Sequence, residues 1–290
     1  MRRAHEVRRR ILLAMADMHS GHKLGLLSPE TVLVRETDEG ETEYWTPELG
    51  ATQKWLWECY EWCLGEAAAL AGNDEIVVVH CGDVTQGDRH EGTMKDVTKD
   101  DQREIARCNL SRIARMAQVL AMRLMTGTAV HVPDCAEARV AAALNGRDGV
   151  EVRACHHERL TVDRVVFDIA HHGPPPGVRD WLKGNTALYY LKSAIYADRR
   201  IGKEPARVYI RGHFHEHVPA PYEDLWHGRH MRYDLTVVPS FCGFTEHARK
   251  ITRSSPQLTV GMVAYEIVNG RLADIVPFTR SVDLRMEEEL

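Results

Sequence analysis

The chain has 290 residues, 44% hydrophobic and 27% charged, enough to bury a sizeable core without disulfide staples. Its net charge of −5 removes any global electrostatic reason to bind nucleic acid or an anionic membrane. Seven scattered cysteines form no CxxC pair and no apolar run reaches transmembrane length, so a reduced, cytoplasmic protein is expected.

No internal repeat, low-complexity segment or linker interrupts the sequence, so a single domain over 1–290 is expected. Residues 8–16, RRRILLAMA, read as a first strand. The acidic stretch that follows reads as a surface excursion over 35–46. Residues 46–72 predict a helix with Thr46 as N-cap and Pro47 at the first helical position. Trp55, Cys59 and Trp62 share one face of it, as core packing requires. DEIVVVHCGD, residues 74–83, has the continuous apolar run of a strand buried on both faces.

Residues 101–125 place Ile105, Cys108, Ile113, Met116, Leu120 and Leu124 at helical spacing. A strand over GTAVHV (127–132) and a helix over 136–146, closed by Asn-Gly, are expected next. LTVDRVVFDIAHHG (160–173) reads as a strand pair, 180–199 as a helix and ARVYIRGHFH (206–215) as a strand. Strand alternation returns over 231–241 and 258–280, the latter turning at Asn269-Gly270. Strand–helix alternation followed by clustered strands predicts an α/β fold with two sheets.

Four of these strands end in metal-ligand residue types. The first ends at Asp17 and His19, the second at Asp83, a later one at His171 and His172, and the last at His213 and His215. Residues two apart on an extended chain point the same way, so His213 and His215 are expected to converge by strand parity. Ligands of open α/β sheets bind outside the carboxyl ends of strands, where these four ends can meet. Asp with neutral imidazole suits Mn²⁺, Fe or Zn²⁺. Taken singly, each pair has an ordinary explanation as a loop cap or a turn. Repetition at four strand ends favours one shared site.

D-x-H, then G-D, then a His after a strand, then G-H-x-H resembles the ordered signature of the calcineurin-like metallophosphoesterases. Here it stands as Asp17-Met18-His19, Gly82-Asp83, His171 and Gly212-His213-Phe214-His215, within residues 10–220. The resemblance implies a two-sheet β-sandwich flanked by helices. It also implies two divalent ions, with Mn²⁺ favoured and Zn²⁺, Fe or Ni²⁺ as alternatives. Asp17, His19 and His215 would hold one ion, His171 and His213 the other, and Asp83 would bridge. A carboxylate has two oxygens for two cations, whereas an imidazole nitrogen serves one.

The family's G-N-H-D/E is absent. MTGTAVHVPDCAEAR stands there instead, with Gly127, Thr128 where Asn would be, and His131 three residues later. This resembles a phage-like variant, G-T-x-x-H. Thr128 is then a candidate ligand. His131 either serves the leaving group, supplies the missing ligand, or faces solvent at a strand end. His90 is a candidate for reaching a substrate phosphate, and Arg211 for neutralising its charge. His172 either orients His171 or lines the pocket; His22 is its counterpart at the first loop, and His217 has an outer role.

The function implied is metal-dependent hydrolysis of a phosphodiester or phosphomonoester by a metal-bridging hydroxide. Nucleotides or nucleic acid are candidate partners, and no membrane is expected. The alternatives are a catalytically degenerate member that binds metal or nucleotide, and a mononuclear hydrolase. The direction of His131 separates turnover from simple binding.

Overall fold

The computed structural model describes residues 8–36, 39–89, 92–132, 134–175, 182–244 and 257–285. In chain order the elements are β1 (Arg9–Met15), β2 (Leu33–Glu36), β3 (Thr42–Trp45), α1 (Ala51–Ala71), β4 (Glu75–His80) and α2 (Lys99–Ala114). There follow β5 (Val119–Met125), α3 (Ala136–Leu144), β6 (Glu151–Cys155), β7 (His157–Val162), β8 (Val165–Ala170) and α4 (Asn185–Arg200). The chain continues with β9 (Val208–Arg211), β10 (Val218–Trp226), β11 (Arg229–Val237), β12 (Gln257–Val268) and β13 (Arg271–Asp283).

Among the described residues these make three sheets and four α-helices, a mixed α/β arrangement. The larger sheet has the order β13-β12-β1-β4-β5-β6, the second β10-β11-β9-β8-β7, and β2 pairs with β3 alone. β1, β4, β5 and β6 run parallel, as do β8, β9 and β11. Alternate residues of β1 and β4 explain the layering. Leu12, Ala14, Val77 and Val79 join Phe167, Ile169, Val208 and Ile210 of the second sheet in one buried cluster. Ile11, Leu13, Ile76 and Val78 point the other way, into a cluster with α1, α2 and α3. α4 covers the far side of the second sheet through Ala187, Leu191 and Ile195. With apolar partners on both faces, the unbroken Ile76–Val79 run is what a buried parallel strand needs.

Several expectations are corrected. Helix α1 begins at Ala51 rather than at Pro47: Gly50 is the N-cap, and its amide donates to Gln53 Oε1 at 3.0 Å. The helix read over 101–125 ends at Ala114, and the rest becomes β5. Met116, Leu120 and Leu124 have helical spacing, but Val119–Met125 fills the slot between β4 and β6, where pairing overrides local pattern. GTAVHV is therefore not a strand but the loop leaving β5, in which the His131 and Val132 amides both donate to the Thr128 carbonyl. β9 ends at Arg211, so strand parity does not govern the histidines beyond it.

β6 and β10 lay outside the sequence expectations. Pro219 and Pro221 disguise β10, an edge strand where missing donors cost nothing. The excursion near 35–46 is the β2–β3 ribbon, anchored through Leu33 and Trp45. Three hairpins turn on residue pairs with positive φ: Asp163-Arg164 (43°, 72°), His227-Gly228 (49°, 72°) and the expected Asn269-Gly270 (52°, 78°). That geometry matches the right-handed twist of the flanking strands. The seven cysteines are free thiols. No helix among the described residues is long and apolar enough to cross a membrane.

Candidate metal centre

The carboxyl ends of β1, β4 and β5 in one sheet and of β8 and β9 in the other lead into one polar cluster. The crowding requires glycine at two places. A Cβ on Gly127 would lie 2.1 Å from Asp83 Oδ1, and one on Gly82 would lie 2.6 Å from His171 Nδ1. Absence of a side chain at both lets three loops meet around Asp83. Asp17, His19, Asp83, His213 and His215 all have positive φ, between 44° and 76°. Five non-glycine residues in this sparsely populated region, all in one cluster, point to a functional constraint on the backbone. It also explains how His213 and His215 reach the cluster. They turn into the cluster through left-handed backbone rather than by strand alternation.

The carboxylates are held from several sides. Asp17 is fully buried, and its Oδ2 accepts the His213 amide at 2.9 Å. Its Oδ1 is buried with no hydrogen-bond partner and lies 3.6 Å from His215 Nε2. Asp83 Oδ1 accepts the Thr128 amide at 2.6 Å, while Oδ2 lies 3.2 Å from His171 Nε2.

The imidazoles are oriented by their other nitrogens. His171 Nδ1 donates to the Cys81 carbonyl at 2.6 Å, and His19 Nδ1 to Gln86 Oε1 at 3.0 Å. His131 Nδ1 donates to the Gln86 carbonyl at 2.8 Å. In the neutral rings this places the lone pair on Nε2, the arrangement by which metal-ligating histidines are fixed. His19 Nε2 then faces His215 Nε2 at 3.1 Å. Nδ1 of His213 lies 3.2 Å from His171 Nε2, and Thr128 Oγ1 lies 3.0 Å from the His171 nitrogen and 3.2 Å from that of His213.

The donor atoms fall into four overlapping groups, each within 4.8 Å: Asp17, His19 and His215; His171, His172 and His213; Asp17, Asp83 and His171; and His19, Asp83 and His131. The fit to cations can be judged from the cluster itself. Two buried carboxylates, each held by a backbone amide and one with an orphaned oxygen, lie among several ring nitrogens that face one another. An unpaired buried carboxylate oxygen is costly, and a divalent ion is the counter-charge this donor set suits.

Electrostatics divide the donors. Burial pushes the Asp17 carboxyl up to about 7, with His171 opposing and Asp83 adding to the rise. Burial works against a charged His171, yet its hydrogen bond to Asp83 and the charges of Asp17 and Asp83 raise it to about 9. Burial would also raise Asp83, but His171 and the nearby imidazoles hold it well below the usual carboxylate range. Burial lowers His213 and His215 to about 4 and takes His19 well below its ordinary value. At neutral pH these three rings are thus in the neutral form that ligates.

The remaining sequence candidates divide. His131 is half-buried and turned inward, its ring packed edge-on against His19 at 4.6 Å. His172 is at the exposed rim, 4.8 Å from the His171 ring. His22 is buried and accepts the Leu24 amide at 3.0 Å, holding the first loop. His217 is half-buried and belongs to none of the four donor groups. His90 lies outside the described residues.

Arg211 corrects an expectation: it is 1% exposed and its guanidinium is taken up by β8 and α4. Its guanidinium donates to Asp168 Oδ1 at 2.5 Å, to the Asp168 and Ile210 carbonyls at 2.8 Å and to the Tyr190 hydroxyl at 3.2 Å. The strand that carries it is covered on both faces, so the arginine binds β9 to β8 instead of reaching for substrate. Two polar residues at the site were missed. Gln86 orients both His19 and His131, and Glu137 is buried beside the Gly127 amide. Nothing in DVTQG or AEARV distinguishes either from an ordinary loop or helix residue.

No protein-family model matches the chain, and no curated protein matches it.

Proposed function

We propose that the chain is a dinuclear-metal phosphoesterase of the calcineurin-like metallophosphoesterase type, its two large sheets forming the sandwich and its helices the flanks. The observation that carries the reading is the convergence of the Asp17, His19, His215 group with the His171, His213 group around Asp83, with Asp17 Oδ1 left unpartnered. Asp17, His19 and His215 would hold one ion, His171, His213 and Thr128 the other, with Asp83 shared through its two oxygens. Divalent ions bound there, Mn²⁺ first among them, supply Lewis acidity and a nucleophile from water at neutral pH.

The chain's own residues account for the rest. Asp83 is held in one rotation by the Thr128 amide on its Oδ1, which leaves Oδ2 turned toward His171. His131, anchored through Nδ1 on the Gln86 carbonyl, lies beside His19 and Asp83, from where it would serve as the proton donor to a leaving oxygen. Its inward direction favours turnover over a degenerate binding module. Thr128 Oγ1 stands between His171 and His213, within 3.2 Å of a nitrogen of each. The substrate is a phosphate ester, with nucleotide or nucleic-acid diesters as the preferred class.

The test is metal content and Mn²⁺-stimulated hydrolysis on one chelator-stripped sample, with bis-(p-nitrophenyl) phosphate beside p-nitrophenyl phosphate. Two bound ions with diester cleavage is the expected result. Cleavage of the monoester alone keeps the enzyme and moves the substrate class. Metal binding without turnover of either ester would favour the binding module, and absence of bound metal would overturn the centre altogether.

A further inference from the structure

Glu137 is the second residue of α3, on an element that supplies no donor to the cluster, yet it is only 1% exposed. Its Oε1 accepts the Gly127 amide at 3.2 Å, while Oε2 is buried without a hydrogen-bond partner. The Val84 amide also acts on this carboxyl, and the charge of Asp83 is felt there. Val84 follows Asp83, and Gly127 precedes Thr128. One carboxyl therefore lies against the backbone of both loops that carry the Asp83–Thr128 contact. Burial of a carboxyl with one orphaned oxygen is unfavourable for packing alone, where an apolar side chain of similar size would serve α3 better.

We infer that Glu137 is a positioning residue for the His171–His213 half of the centre. By holding the Gly127 amide it sets the loop after β5 so that the Thr128 amide meets Asp83 Oδ1 at 2.6 Å and Thr128 Oγ1 lies within 3.2 Å of both histidine nitrogens. The other half of the centre, Asp17, His19 and His215, comes from loops that Glu137 does not touch. Loss of the carboxyl should therefore weaken one ion and spare the other. The inference rests on the dinuclear reading proposed above.

The experiment is calorimetric Mn²⁺ titration of chelator-stripped wild type, Glu137→Ala and Glu137→Gln, with far-ultraviolet circular dichroism and a melting curve for each. Wild type should bind two equivalents. In Glu137→Ala one equivalent should weaken at least tenfold while the other stays within about threefold. Glu137→Gln keeps one acceptor oxygen for the Gly127 amide and should recover most of the lost affinity. Two equivalents at wild-type affinity in Glu137→Ala would overturn the role of Glu137 and leave the dinuclear centre standing. Equal weakening of both, or weakening in Glu137→Ala that Glu137→Gln does not relieve, would also overturn it. Failure of wild type to bind Mn²⁺ would remove the centre itself. Should Glu137→Ala not fold, the Glu137→Gln titration decides: both ions must bind within about threefold of wild type.

Discussion

Asp83 sits where both halves of the cluster meet, so its replacement has the widest expected effect. Asp83→Asn keeps the shape but removes the charge and leaves one neutral oxygen where the proposed centre would use two anionic ones. It should lose both Mn²⁺ equivalents and all measurable esterase activity, read by metal analysis and by hydrolysis of bis-(p-nitrophenyl) phosphate. Full activity in that variant would remove the dinuclear centre. His131 separates two roles with one substitution. As a proton donor, His131→Ala should keep two ions and lower the turnover rate about 10²- to 10⁴-fold. Loss of one ion instead would make it a ligand. Thr128 acts on Asp83 more than as a ligand, because a neutral hydroxyl is a poor donor and its amide on Asp83 is the shorter contact.

At the scale of elements, β8 and β9 are joined beneath the site by Asp168 and Arg211, with His157 of β7 adding a third contact at 2.9 Å. Burial works to raise the Asp168 carboxyl, but the His157 hydrogen bond and the Arg211 charge bring it below its ordinary value. A carboxyl depressed in the folded state contributes stability above its unfolded pKa, about 3.9, and loses that contribution as pH falls through the folded pKa. Wild type should therefore destabilise as pH falls below about 4, and Asp168→Asn should flatten that limb of the profile. Urea denaturation across the acidic range measures it; parallel slopes in the two proteins would show that Asp168 is not the group responsible. The same pairing decides why Arg211 cannot serve substrate. An arginine next to a strand end reads as available in sequence, and only the carboxylate on the neighbouring strand consumes it.

For the whole molecule, the donor cluster is a junction between two sheets and not a property of either. Ions bound there would tie the loops after β1, β4 and β5 to those after β8 and β9, across the shared apolar layer. Binding to the folded state alone stabilises by about 2.7 kcal/mol per site at a hundredfold excess over Kd. Mn²⁺ should thus raise the melting temperature of the stripped protein, and EDTA should reverse the rise. A melting curve indifferent to Mn²⁺ would argue that no ion joins the two sheets.

Much of this was readable before any tertiary structure. The buried run of β4, the Asn269-Gly270 hairpin and the residue types at four strand ends depend on local chemistry: apolar continuity, a turn that needs positive φ, and ligand atoms in order. What depended on packing could not be read locally. Met116, Leu120 and Leu124 repeat as a helix repeats, and only the gap between β4 and β6 made Val119–Met125 a strand. That change moved Thr128 and His131 from an expected strand into the loop at the site. His213 and His215 fall in separate donor groups and enter the cluster through left-handed backbone, because β9 ends two residues before the first of them. The residues that hold the donors in place, Gln86 and Glu137, carry no pattern of their own. Sequence by itself determined which side chains were available for the chemistry. Tertiary structure decided which ones meet, since orientation comes from hydrogen bonds between loops far apart in the chain.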